Sequence, residues 1–179
     1  LTFLEVQHNG AHDVAGLAGA TSIAVSADGA SVYVAGKGDD GIAAFVRDPA
    51  TGKLSFAQVL QQGLEGIDGL DGVNALAVSP DGAHVYAVGS TATSKTLTVL
   101  ARDPASSMLV VVGIRRDGVG DVTGLNGAAA VTVSADGAYV YTAAKAAGAV
   151  AVFSTRCGDG VLDAGEQCDD GNASDGDGC

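Results

Sequence analysis

The sequence predicts an all-β fold built from three copies of one structural unit. Three observations indicate this: a sequence repeat, four strand-like segments within each repeat, and a high glycine content. Glycine accounts for 27 of the 179 residues, about twice its usual share of roughly 7%. Because helices tolerate glycine poorly and tight turns need it, this content favours short strands joined by turns.

The repeat is clearest at a turn motif. Ser26–Ala30 (SADGA) recurs as Ser79–Ala83 (SPDGA) and as Ser134–Ala138 (SADGA), each time followed closely by a Val-Tyr pair. The spacing is 53 and then 55 residues. The two extra residues fall in the segment STATSKT, where an insertion indicates a surface loop. The predicted repeats cover residues 16–63, 69–118 and 124–153.

Each repeat contains four strand signals in succession. In the first repeat they are TSIAVS, SVYVAG, GIAAFVRD and KLSFAQVL. An Asp-Gly turn joins the first two, and a turn over Pro49–Gly52 joins the last two. A four-stranded antiparallel unit repeated in tandem is the blade of a β-propeller. The predicted fold class is therefore all-β: a partial β-propeller of three blades in residues 1–155, followed by a small disulfide-rich module in residues 156–179.

The first residues of the chain are predicted to form an outermost fourth strand. LTFLEVQHNG aligns with Leu54–Gly63 and Leu109–Gly118, which end the first two repeats. The third repeat has no such segment after Phe153. A strand over residues 1–8 is therefore expected to supply the fourth strand that the last blade lacks. Closed propellers have about four to eight blades. Two alternatives follow: further blades belong to a longer protein, which we favour, or a second copy completes the ring.

Charge and hydropathy exclude some partners. The formal net charge is −12, and residues 157–179 hold seven acidic groups and no basic one. Nucleic acid is an improbable partner, because no basic stripe is present to displace its counterions. No apolar run approaches the roughly 18 residues that a transmembrane helix needs.

The repeated Asp-Gly pairs are assigned a structural role. A tight turn needs a residue that accepts positive φ and a short polar side chain that bonds the local backbone. This reasoning covers Asp28, Gly29, Asp81, Gly82, Asp136 and Gly137.

No catalytic and no cofactor-binding residue is predicted. His8, His12 and His84 are expected to be solvated loop histidines, since the spacing of the first two brings side chains together only on a helix. Gly36–Gly41 matches the dinucleotide-binding string G-x-G-x-x-G. A strand rather than a helix follows it, so it is expected to be a hairpin loop.

The C-terminal residues carry the clearest metal signal. Hard oxygen ligands alternate there with glycines, which suits Ca²⁺. The candidate ligands are Asp169, Asp170, Asn172, Asp175 and Asp177. The alternative is an acidic knob with solvated carboxylates. The only cysteines, Cys157, Cys168 and Cys179, are disulfide candidates and indicate an oxidising location outside the cytosol.

Two family resemblances rest on these segments. AVSPDGAHVYAVG with LTVLARDPAS, and AVSADGASVYVAG with AAFVRDPATGKLSF, resemble the lactonase-like β-propeller repeats of bacteria. CGDGVLDAGEQCDDGNASDGDGC resembles the myxobacterial cysteine-rich repeat of secreted and cell-surface proteins. The first resemblance implies a propeller fold and sugar-lactone hydrolysis in some members; the second implies an extracellular or cell-surface location.

The expected function rests on the absence of a recognisable set of catalytic side chains. No set of His, Glu or Arg residues is expected to converge on one site, which favours a non-catalytic, secreted or cell-surface binding scaffold. Its ligand, a protein, a glycan or a small molecule, would lie at the rim formed by the Gly-Leu-x-Gly connections, where Asp68, Asp71 and Asn126 vary between repeats. The alternative is a lactonase-type hydrolase whose catalytic residues lie in missing blades.

Overall fold

Three antiparallel sheets follow one another along the chain. The computed structural model describes residues 1–92 and 94–155, and eleven strands lie within them. Their bounds are β1 Ala20–Val25, β2 Ser31–Gly36, β3 Gly41–Arg47, β4 Leu54–Gln61, β5 Val73–Val78, β6 His84–Ser90, β7 Lys95–Arg102, β8 Leu109–Arg116, β9 Ala128–Val133, β10 Tyr139–Ala144 and β11 Ala149–Ser154. Each repeat of the sequence forms one sheet, as predicted, and the fold is part of a β-propeller.

Strands that follow one another in sequence also pair in space. The sheet orders are β1-β2-β3-β4, β5-β6-β7-β8 and β9-β10-β11, which we call the first, second and third blades. The first strands of the three blades, β1, β5 and β9, lie side by side. Each blade therefore runs outward from a shared inner side, which is the arrangement of a propeller.

Alternation of side chains along the strands builds the core between blades. Successive side chains of a strand face opposite sides of its sheet. Tyr33 and Ile42 of the first blade pack against Val85 and Leu100 of the second. On the other side of the second blade, residues such as Tyr86, Leu97 and Val99 pack against the third, including Leu125 and Val140. The second blade is thus covered on both faces.

The Ser-x-Asp-Gly motif shapes the loop that joins the first two strands of every blade. In the first blade the Ser26 hydroxyl and the Ala30 amide both donate to Asp28 Oδ1, and the Gly29 amide donates to the Ser26 carbonyl oxygen over 2.8 Å. Gly29 adopts a φ of 69°, which glycine reaches without strain. Asp81 and Asp136 accept the same bonds in the other two blades.

The start of the chain differs from the prediction. Residues 1–8 form no strand in the described structure and lie along the first blade, where the Leu54 amide donates to Glu5 Oε1 over 2.6 Å. The predicted partner would be the outer edge of the third blade, at the other end of the three-blade arc. Leu1, Phe3, Leu4 and Val6 therefore remain largely exposed.

The third blade has three strands in the described residues, as its sequence predicts. The predictions for the C-terminal module concern residues outside the described ones and stay predictions: the disulfide candidates Cys157, Cys168 and Cys179 and the five candidate calcium ligands. In the part of the chain that the structure describes, no helix is long and apolar enough to cross a membrane.

Candidate functional site

The blade connections and the Ser-x-Asp-Gly loops lie at opposite ends of each blade. Because the strands alternate in direction, the connections β4–β5 and β8–β9 lie at the same end as the hairpins β2–β3, β6–β7 and β10–β11. We call this the connection end. The Ser-x-Asp-Gly loops lie at the opposite end, so Asp28, Asp81 and Asp136 lie far from the predicted rim. Asp68, Asp71 and Asn126 do belong to the connection end, as expected.

Each connection is held by one recurrent hydrogen bond. The amide of the leucine in Gly-Leu-x-Gly donates to the side-chain oxygen of the residue 8 positions earlier: Leu17 to Asn9 over 3.1 Å, Leu70 to Gln62 over 2.9 Å, and Leu125 to Asp117 over 2.9 Å. Residues from Asn9 onward therefore form a blade connection like the other two, although residues 1–8 form no strand.

The acidic rim candidates are engaged by neighbouring groups. Hydrogen bonds from the Gln62 side chain and the Gly69 amide, with a weaker contribution from Arg116, lower the pKa of Asp68. Asp71 accepts a hydrogen bond of 2.8 Å from the Thr91 hydroxyl. Asp68 bonds within its own connection and pairs with Arg116 at the end of β8, whereas Asp71 ties the connection to the β6–β7 loop, so the immediate role of both carboxylates is structural.

The glycine-rich string forms a hairpin loop, as predicted. β2 ends at Gly36, β3 begins at Gly41, and the two glycines pair. The carboxylates in this loop bind the neighbouring connections: Asp39 accepts from the Ala18 amide over 2.9 Å, and Asp40 accepts from the Gly72 amide over 2.7 Å. These bonds fix the loop against the connections of two blades.

The prediction for one histidine is wrong. His84 is the first residue of β6, its residue exposure is 8%, and its ring centroid lies 6.4 Å from that of Tyr86. It takes the place of Ser31 in the first blade, which is fully buried. The reason is that the strand begins directly after the loop, so this side chain is already between blades. His8 and His12 are exposed, as expected.

A cavity opens at the connection end between the hairpins of the three blades. It has a volume of about 430 Å³, and the side chains that line it include Lys37, Asn74, Ser90 and Lys145. Lys37, Ser90 and Lys145 occupy the same position of the three repeats, at the end of the second strand of each blade: Ser90 is the last residue of β6, and the two lysines directly follow β2 and β10. No carboxylate lines it among the described residues.

Sequence reasoning missed this set, although its signal is present. The spacings from Lys37 to Ser90 and from Ser90 to Lys145 are 53 and 55 residues, which are the spacings of the repeat itself. Alignment of the three repeats places two lysines and a serine at one rim position. Lysine and serine are not among the His, Glu and Arg residues on which the functional expectation was based.

Two other cavities lie elsewhere, one between the second and third blades and one beside the first residues of the chain. One, of about 460 Å³, runs along β11 and is lined by Ala151, Phe153 and Arg115. The other, of about 780 Å³, lies between residues 2–9 and the first blade. In residues 1–92 and 94–155, no group of three or more His, Cys, Asp or Glu residues has the geometry of a metal site.

The chain matches a known protein-family model. The model described as "Lactonase, 7-bladed beta-propeller" matches residues 1–113 and 78–171. Among curated proteins, none matches the chain.

Solved structures support the same fold. A putative 6-phosphogluconolactonase from Bacteroides fragilis NCTC 9343 is similar with a TM-score of 0.63 and 19% identity, over 80% of this chain and 36% of that one. The periplasmic gluconolactonase PpgL of Pseudomonas aeruginosa is similar with a TM-score of 0.64 and 24% identity, over 78% and 36%. At these identities the likeness establishes the fold alone. The chain spans little more than a third of the length of either structure.

The family match corrects the function expected from the sequence. A non-catalytic, secreted or cell-surface binding scaffold was inferred from the lack of converging His, Glu and Arg residues in three blades. That inference is contradicted by the match over residues 1–113 and 78–171, which favours the alternative of a lactonase-type hydrolase. The physical reason for the error is that three blades enclose only part of a propeller's central channel, so catalytic groups need not all lie within them.

Proposed function

This chain belongs to the family of seven-bladed β-propeller lactonases, and from that premise we propose that it forms part of the propeller of a lactonase-type hydrolase. The family match is the observation that carries the proposal. The substrate class is an intramolecular ester of a hydroxy acid, such as a sugar lactone. The reaction opens the ring by adding water across the ester bond.

The chemistry of ring opening defines which groups are needed. Water attacks the lactone carbonyl carbon while a base accepts its proton, and the carbonyl oxygen gains negative charge in the tetrahedral intermediate. The ring C–O bond then breaks, and the released oxygen takes up a proton. Hydrolysis thus needs a base near the water and hydrogen-bond donors near the carbonyl oxygen.

The connection end supplies donors of the required kind. Lys37 and Lys145 carry ammonium groups, Ser90 a hydroxyl and Asn74 an amide, and all four line one cavity. Such groups, if held in place, stabilise an oxygen that becomes negative. No His, Asp or Glu lines this cavity within the described residues. The proposal therefore assigns the base to a part of the propeller outside these three blades.

The test is lactone hydrolysis by the protein expressed from its complete reading frame. Glucono-1,5-lactone and its 6-phosphate would be followed by acid release in a pH-stat, against the uncatalysed rate in the same buffer. Turnover that saturates with substrate supports the proposal. A rate equal to the uncatalysed rate for both lactones contradicts it.

We also propose that the protein works outside the cytosol. The support is the restriction of its three cysteines to the C-terminal residues, which is typical of a disulfide-bonded extracellular module. Thiol titration of the denatured protein, isolated without reductant, tests this. One free thiol per chain is the expected result with one internal disulfide, and three free thiols would contradict it.

A further inference from the structure

The cavity at the connection end contains side chains from all three blades that could recognise one charged group. Lys37 belongs to the first blade, Asn74 and Ser90 to the second, and Lys145 to the third. A volume of about 430 Å³ lies within the range of sites for small molecules. We propose that this cavity binds the anionic group, phosphate or carboxylate, of a small ligand.

The two lysines are held at equivalent positions by the blade connections. The backbone amides of Lys37, Ser90 and Lys145 donate to the carbonyl oxygens of Gly19, Gly72 and Gly127, over 3.2, 3.2 and 2.9 Å. These three glycines are the last residues of the Gly-Leu-x-Gly connections. The repeat therefore sets where each side chain leaves the backbone, and the lysines flank the serine.

Ser90 is oriented for donation to a ligand. Its Oγ accepts a hydrogen bond of 2.8 Å from the Gly127 amide of the third blade. A hydroxyl that accepts in this way keeps its own proton for another acceptor. The bond also fixes the hydroxyl in the gap between the second and third blades, beside the start of β9.

Asn74 is placed at the cavity by a β-bulge. In the pairing of β5 with β6, Val73 lies opposite Gly89 and Ala75 opposite Val88, so Asn74 is the unpaired extra residue. Bulges re-aim a side chain and are frequent beside binding and catalytic sites. The same bulge occurs at the start of β1 and of β9, where the extra residues are Thr21 and Ala129. Of the three blades, only the second has a side-chain amide, that of Asn74, at the bulge position.

The charged residues that line the cavity are opposite in sign to the net charge of the chain. The formal net charge is −12, yet the residues that line the cavity include two lysines and, among the described residues, no aspartate or glutamate. The nearest acidic residues along the hairpin, Asp39 and Asp40, accept hydrogen bonds from the backbone amides of Ala18 and Gly72. The cavity thus offers a local preference for anions on an acidic surface.

Isothermal titration of the intact chain tests the proposal. The probes are inorganic phosphate and gluconate, with glucose as the neutral control, at low ionic strength where exposed charges are least screened. We expect saturable binding of at least one anion and none of glucose. Binding of phosphate but not gluconate identifies a phosphate group as the ligand's anion, and the reverse result identifies a carboxylate.

The variant Lys37→Gln/Lys145→Gln should lose at least tenfold in affinity for that anion. The matched control is Lys53→Gln, an exposed lysine in the β3–β4 turn at the opposite end of the blade, which should stay within twofold of wild type. Asn74→Ala should weaken binding without removing a charge. Absence of binding to wild type, or an equal loss in Lys53→Gln, would overturn the proposal.

This inference uses the same cavity as the proposed hydrolysis, but the two proposals can fail separately. Anion binding is measured without turnover, so a protein that binds phosphate or gluconate and opens no lactone keeps the site and loses the activity. A protein that hydrolyses lactones with the same KM and kcat in wild type and Lys37→Gln/Lys145→Gln, and binds neither anion, supports the hydrolysis but contradicts both this site and the oxyanion role proposed for its lysines.

Discussion

Asp28 of the first blade and Arg102 of the second form an ion pair across the blade interface, with 2.7 Å between Asp28 Oδ2 and an Arg102 guanidinium nitrogen. The arginine side chain is 2% exposed and the aspartate side chain 47%. Arg102 also donates to the Ser31 hydroxyl and to the Gly82 carbonyl oxygen. The turn aspartate therefore has two roles, since it shapes its own loop and neutralises a buried cation of the next blade.

The repeat shows where this pair can and cannot occur. Arg47 takes the place of Arg102 in the first blade and donates to the carbonyl oxygen of Gly29 over 3.2 Å. Thr155 takes the same place in the third blade and donates to the Gly137 carbonyl oxygen over 2.6 Å. A threonine cannot form an ion pair with Asp81 of the second blade. The clamp thus joins the first and second blades, and the corresponding clamp between the second and third blades is absent from the described residues.

A double-mutant cycle on Asp28→Asn and Arg102→Met should measure a coupling energy of about 1–2 kcal/mol in urea unfolding. Exposed ion pairs contribute about 0.2–1 kcal/mol and buried ones more, and this pair combines a buried cation with a half-exposed anion. Asparagine keeps an oxygen for the loop, so the cycle isolates the charge interaction. Additive effects of the two substitutions would show that the pair contributes nothing.

Stability should fall in acid, partly through Asp28. Hydrogen bonds from Ser26 and the Ala30 amide, together with Arg102, hold the pKa of Asp28 well below its usual range. A carboxylate with a lowered folded-state pKa stabilises the fold above its unfolded pKa of about 3.9, and that stabilisation is lost as the pH falls toward the folded pKa.

Thermal unfolding between pH 2 and 7 checks this sign. Asp28→Asn should have a lower Tm than wild type at pH 7, and the difference should shrink below about pH 4. Asp13→Asn, at an exposed position outside these loops, is the control and should follow the wild-type curve. A difference for Asp28→Asn that stays constant down to pH 2 would contradict the assignment.

The strands were predictable because the same pattern occurs three times. The predicted segments TSIAVS and SVYVAG lie within one residue of β1 Ala20–Val25 and coincide with β2 Ser31–Gly36. Local signals were enough there, since turn glycines and apolar runs act over a few residues. The loop role proposed for Asp28 is also local, and it is seen directly in the bonds that Asp28 accepts.

Interactions between repeats were not predictable in this way. The partner of Asp28 is 74 residues away, and no local pattern connects the two. His84 follows a polar loop, which suggests exposure, but packing between blades buries it. The equivalence of Lys37 and Lys145 is present in the aligned repeats, but the rim cavity between them depends on how the blades pack. Function was missed for a related reason, because three blades do not enclose a whole propeller channel.

The core between the first two blades should be sensitive to loss of volume at Leu100. This side chain is fully buried and belongs to the cluster that joins those blades. Leu100→Ala should lower the free energy of unfolding by about 2–5 kcal/mol, because it removes apolar contacts and leaves a cavity. Val110→Ala, at a residue that is 65% exposed, should change it by about 0.5 kcal/mol or less. Urea unfolding of both variants measures the contrast, and similar losses would contradict the assigned core.

The close approach of Gly36 to the preceding connection should make this position intolerant of any side chain. A Cβ at Gly36 would overlap the carbonyl oxygen of Gly16, and at the equivalent Gly89 it would lie 2.6 Å from the carbonyl oxygen of Asp71. Both clashes are with backbone, so relief requires the connection to move away from the blade. Gly36→Ala should therefore lower the free energy of unfolding by about 1–3 kcal/mol, as overpacking does.

The third blade provides the comparison, because alanine already occupies this position at Ala144, which is 3% exposed. Ala144→Gly should cost only about 0.5–1 kcal/mol, the penalty for glycine within a strand. Urea unfolding measures both variants, and hydrogen exchange at the Leu17 amide reports whether the connection has moved. If Gly36→Ala leaves stability and exchange unchanged, the connection is not packed against the first blade as closely as the structure shows.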